Sequence, residues 1–181
     1  MAAISVLAAA CGDDPVATTT PTTPTTPSTA DPAPESTSSS TEAVSVDLPA
    51  IEVVELASGD TVPLPSLATS GRPTVLWFWA PHCTFCIREA PELLAFADEH
   101  GAQVDILGLG AQDSLDEAYG FLDTTGTHDL AMVWDETGRS WVHHGVTSQP
   151  TIIVLGADGQ VSAEWYRDFD ENGILAAAGV A

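Results

Sequence analysis

Thr74-Val75-Leu76-Trp77-Phe78-Trp79-Ala80-Pro81-His82-Cys83-Thr84-Phe85-Cys86 is the stretch that decides the fold. Residues 74–79 are apolar almost without a break, as expected of a central strand covered on both faces. The residues after Cys86 begin a helical pattern, predicted over 84–100 with a kink at Pro91. A strand that hands a C-x-x-C to the first turn of a helix is a dithiol/disulfide device. The helix start offers unpaired N–H groups and the positive end of a dipole, and both stabilise a thiolate at the first cysteine. The second cysteine, one turn on, can close the disulfide. Cys83 is therefore the candidate nucleophile and Cys86 its partner.

Working outward, the pattern reads β-β, then β-α-β-α-β-α, then β-β-α. Residues 51–56 and 60–64 flank Ala57-Ser58-Gly59 and predict a hairpin. Strands are expected at 103–109 and 132–134. Between them a helix runs through Leu122, with Ser114 as its cap and Glu117 at the capping-box position. A short helix is expected at 138–144. Residues 151–155 and 161–166 flank a turn at Asp158-Gly159. Asp170 is the expected cap of a last helix, Glu171 to Ala178. Crossover helices imply parallel central strands, and the last hairpin adds antiparallel ones. The fold class is α/β, a mixed sheet flanked by helices with an extra N-terminal hairpin.

Composition divides the 181 residues sharply. From Gly12 to about Val46 Thr, Pro and Ser dominate, so residues 11–46 are expected to be a disordered tether, unable to bury enough apolar surface to offset ordering entropy. Such a flexible tether reaches roughly 30–35 Å. All five Trp and all five Phe follow Leu48, and a domain over 47–181 is long enough for one core without staples. The net charge is −22, with no lysine, which repels nucleic acid and anionic lipid. No later segment reaches the roughly 18 apolar residues of a membrane span.

The third cysteine, Cys11, follows Ile4-Ser5-Val6-Leu7-Ala8-Ala9-Ala10. Small residues before a cysteine resemble a bacterial lipobox, with residues 1–10 as a shortened signal segment lacking the positively charged n-region. Cleavage there would leave Cys11 acylated and the domain on the outer face of the cell membrane.

Trp79-Ala80-Pro81-His82-Cys83-x-x-Cys86 resembles the thioredoxin superfamily, and more narrowly the TlpA/ResA/DsbE-type extracytoplasmic thioredoxins. That group carries a glutamate three residues after the second cysteine, and Glu89 stands there. On a helix it lies one turn beyond Cys86, where it could take or deliver that thiol's proton. Thioredoxins proper use an aspartate six residues before the first cysteine. Here that position is Trp77, read as core. The resemblance also implies a cis-proline facing the dithiol, for which Pro150 fits by order and context, with Gln149 beside the sulfurs. Trp79 is expected at the rim of the site, and His82 could stabilise the Cys83 thiolate. The activity implied is thiol–disulfide exchange with protein thiols and disulfides, for cytochrome c maturation or secreted-protein disulfide formation. A membrane donor or acceptor of electrons would serve it, and no cofactor is needed beyond the redox-active disulfide. A monomer is expected. The alternative is a copper-binding module, in which His143 and His144 join the cysteines as ligands. Haem attachment is disfavoured because Ile87, not His, follows Cys86.

Overall fold

The computed structural model describes residues 45–69 and 71–181. The signal segment, Cys11 and the tether through residue 44 lie outside the described residues. Ser45 and Val46, expected in the tether, are already attached to the domain. Gln160 Nε2 donates to the Ser45 carbonyl at 3.0 Å, and the Asp47 N–H donates to the Gly159 carbonyl at 2.8 Å. Gly159 has a positive φ of 76° and lies so close to the Val46 backbone that a Cβ would have no room.

Among the described residues seven strands form one sheet: β1 (Glu52–Glu55), β2 (Thr61–Pro63), β3 (Thr74–Trp79), β4 (Asp105–Gly110), β5 (Ala131–Trp134), β6 (Thr151–Leu155) and β7 (Val161–Tyr166). Their order is β2-β1-β5-β4-β3-β6-β7. β3, β4 and β5 run parallel, while both edges are antiparallel hairpins. The expected N-terminal hairpin is thus one edge of the sheet, paired to β5. Among the described residues there are four α-helices: α1 (Thr84–His100), α2 (Leu115–Thr125), α3 (Arg139–His143) and α4 (Glu171–Ala178). Pro91 lies inside α1, which continues through it.

α2 runs three residues past the expected Leu122. Its start is the capping box read from sequence: the Glu117 N–H donates to Ser114 Oγ, and Ser114 N–H donates to the Glu117 carboxylate. Its end is set by Gly126 in the left-handed region at φ 72°, while the Thr124 and Thr125 hydroxyls donate to the Gly120 and Phe121 carbonyls. Apolar periodicity fades at Leu122, so the sequence did not show this last turn.

All six residues of β3 are buried. Alternation sends Trp77 and Trp79 to the face covered by α1 and α2, where Trp79 stacks on Phe121 with centroids 4.3 Å apart. Phe78 faces the other way, edge-on to Trp141 of α3. Parallel pairing sets Trp77 opposite Gly108 and Trp79 opposite Gly110. A Cβ on Gly110 would overlap the Trp79 indole, so the glycines of β4 make the room that this large ring needs. Register also builds the site. Thr151 pairs with Phe78 in antiparallel sense, so the residue before Thr151 meets the exit of β3. Pro150 and the C-x-x-C are thereby brought to one end of the sheet.

Candidate active site

Cys83 is the N-cap of α1, with extended backbone, and its Sγ accepts from the Cys86 N–H at 3.0 Å. The sulfur thus sits where the orphan donors of the helix converge. A disulfide joins Cys83 to Cys86. Cys83 retains 5 % exposure and Cys86 none, so an incoming sulfur meets Cys83.

Glu89 follows Cys86 by one turn and is buried, 8 % exposed. Its Oε2 accepts from Trp77 Nε1–H at 2.6 Å. Burial pushes its pKa up from the ordinary 4.5 to about 7, and the negative charges of Glu92 and Asp168 push the same way, while the Trp77 hydrogen bond opposes them. A carboxyl balanced near neutrality can give or accept a proton. Trp77, read from sequence as core, is indeed fully buried, but its N–H also serves the carboxylate. The missed signal was a residue with a polar handle in a strand position where buried N–H groups need partners.

The Gln149–Pro150 peptide is cis, and Pro150 is buried beside the motif. His82 Nδ1 lies 2.6 Å from Asp113 Oδ2, and its Nε2 lies 3.0 Å from Gln149 Nε2. Asp113 Oδ2 accepts from Nδ1–H, while the Gln149 amide lies within hydrogen-bond distance of Nε2. The His82 backbone N–H also donates to Asp113 Oδ2, at 3.1 Å. Three loops are linked in this way: the motif loop, the β4–α2 loop and the cis-proline loop. Asp113 was not anticipated. It follows Gln112, whose φ of 87° is one of two positive values among the described non-glycine residues. The other is Arg167, whose N–H donates to the Pro150 carbonyl at 3.1 Å. Both outliers border the dithiol end of the sheet, where backbone strain commonly gathers.

Two expectations are corrected. Trp79 does not line the rim: it has no exposed surface, being closed in by Phe121, Trp134 and Trp77. A strand residue on the helix-covered face cannot reach the mouth. The histidine pair does not join the cysteines. His143 Nε2 lies 2.7 Å from Asp47 Oδ1, and Asp47, His143 and His144 bring ligand-type atoms within 4.8 Å of one another. Among the described residues, no cysteine belongs to such a group.

The family model described as Thioredoxin-like matches residues 71–161, which span β3 to the start of β7 and include the dithiol and Pro150. The chain belongs to the thioredoxin-like family. It is 31% identical over 97 residues to the soluble secreted antigen MPT53 of Mycobacterium tuberculosis, covering 54% of this chain and 55% of that protein. It is 32% identical over 98 residues to the thiol:disulfide interchange protein DsbE of Xylella fastidiosa, covering 54% and 48%. The chain thus spans about half the length of these curated relatives. Among solved structures it resembles MTB dsbF in its mixed oxidized and reduced forms, with a TM-score of 0.64 and 26% identity, over 75% of this chain and 98% of that one.

Proposed function

We propose that this thioredoxin-like chain is an extracytoplasmic thiol–disulfide oxidoreductase acting on protein thiols and disulfides. The observation that carries the reading is the Cys83–Cys86 disulfide at the N-terminus of α1, with Cys83 slightly exposed and Cys86 fully buried. In the oxidising direction a substrate thiolate attacks Cys83 Sγ. The Cys83–Cys86 bond breaks, a mixed disulfide forms on Cys83, and Cys86 leaves as a thiolate that can take the proton of Glu89. A second substrate thiolate attacks the substrate sulfur of the mixed disulfide, releasing Cys83 as a thiolate at the helix start. The substrate is oxidised by two electrons and the protein reduced by two. In the reducing direction every step reverses: Cys83 thiolate attacks a substrate disulfide, Glu89 takes the proton of Cys86, and Cys86 displaces the substrate.

The names of its relatives, one a secreted antigen and one a thiol:disulfide interchange protein, support the reaction class and the compartment. Lipid attachment at Cys11 and electron exchange with a membrane protein complete the proposal. The sulfur roles are tested by trapping. Cys86→Ser should accumulate mixed disulfides with substrate and Cys83→Ser should not; equal trapping by both variants would refute the division. Labelling cells with a radioactive fatty acid should mark the wild-type chain and leave Cys11→Ala unmarked.

A further inference from the structure

The chain has four cationic side chains, Arg72, Arg88, Arg139 and Arg167, against 26 acidic ones. Two of the four meet at the dithiol. The guanidinium carbons of Arg88 and Arg167 lie 4.2 and 4.1 Å from the centroid of the Phe85 ring, which is 40 % exposed between the two cysteines. Helical spacing delivers Arg88 to Phe85, being three residues on. Arg167 arrives from the end of β7, held to the cis-proline loop by its backbone bond to Pro150. Together with Glu89 and Pro150 they line a cleft of about 320 Å³.

The use made of these guanidiniums differs from that of Arg72. Arg72 spends all three nitrogens on Asp105 and on the Ala102 and Gly101 carbonyls. Among the described residues, the side chains of Arg88 and Arg167 have no hydrogen-bond partner and no carboxylate within ion-pair distance. Glu92 and Asp168 line the same cleft, yet neither pairs with them. A guanidinium held over a ring by cation–π attraction keeps N–H donors for another partner, and its fork of donors fits a carboxylate in bidentate fashion. On a surface otherwise so acidic, two arginines held on a ring with their donors free mark a ligand site beside the reacting sulfurs.

We propose that Arg88 and Arg167, held over Phe85, form a subsite for the carboxylate of an aspartate or glutamate flanking the reactive cysteine of a polypeptide substrate. This rests on the exchange reaction proposed above. The test uses the oxidised protein and two reduced peptides, identical except that Glu or Gln flanks a single cysteine. Second-order rate constants for opening of the Cys83–Cys86 bond are followed by acid quench and mass spectrometry, and the Glu/Gln rate ratio is compared between wild type and an Arg88→Gln/Arg167→Gln double variant. Taking the ratio between proteins cancels the peptides' own thiol reactivity. The ratio should fall by about tenfold in the double variant, as loss of a charge-assisted hydrogen bond implies, and 0.5 M salt should lower it in wild type. A ratio unchanged by the double substitution would overturn the subsite, including the case where both peptides slow alike, which would place the arginines' effect on the reacting sulfurs rather than on the flanking side chain. Failure of the wild type to react with either peptide would overturn the exchange reaction itself, and the subsite with it.

Discussion

Replacing Trp77 by Phe removes a single donor from Glu89 while keeping an aromatic ring in β3. In the wild type the 2.6 Å bond from Nε1 is the one influence that lowers the Glu89 pKa against burial and the charges of Glu92 and Asp168, leaving it at about 7. A hydrogen bond to a charged group contributes about 1.5–3 kcal/mol, equivalent to roughly 1–2 pKa units. In Trp77→Phe the Glu89 carboxyl should therefore titrate at roughly 8–9. The assay is the carbon-13 shift of the Glu89 carboxyl against pH, with Glu89→Gln identifying the resonance. The smaller ring also costs stability, so the titration midpoint is the informative quantity. A midpoint that stays put or falls would show that the indole N–H does not hold the carboxylate.

Glu89 should also shape stability against pH. Its folded pKa of about 7 lies above the ordinary 4.5, so between these values the folded protein holds a proton that the unfolded chain has lost. Its contribution is complete below pH 4.5 and is lost as pH rises through 7, amounting to about 3 kcal/mol. Urea unfolding across this window should show that slope in wild type and not in Glu89→Gln. Gly110→Ala would press a methyl against the Trp79 indole and should cost about 1–3 kcal/mol; an unchanged unfolding midpoint would contradict the packing described for β4. Asp113→Ala removes the acceptor of the His82 N–H. Exchange of that amide with deuterium should quicken by roughly fivefold, the equivalent of about 1 kcal/mol, and equal exchange would argue against the loop linkage.

The fold was legible because local signals agreed with one another. The apolar run 74–79, the capping box at Ser114 and Glu117, and the turn at Asp158-Gly159 each specify an element without tertiary information. The dithiol was legible for the same reason, since strand, cysteines and helix are contiguous. What escaped depends on contacts between distant segments. Trp77 with Glu89 and His82 with Asp113 join residues 12 and 31 positions apart. Trp79 was misplaced because adjacency to the motif suggested the mouth of the site, whereas strand alternation and the space over Gly108 and Gly110 draw its ring into the core. The arginines at Phe85 were hidden because one of them, Arg167, comes from just past β7, beyond any local window.

The reduction potential of the Cys83–Cys86 couple, measured by equilibration with glutathione or dithiothreitol buffers, tests the central claim most directly. An exchange-active pair should lie between roughly −270 and −120 mV, with the reducing end favouring a reductase and the other an oxidase. A potential below about −300 mV, the range of structural bridges, would contradict it.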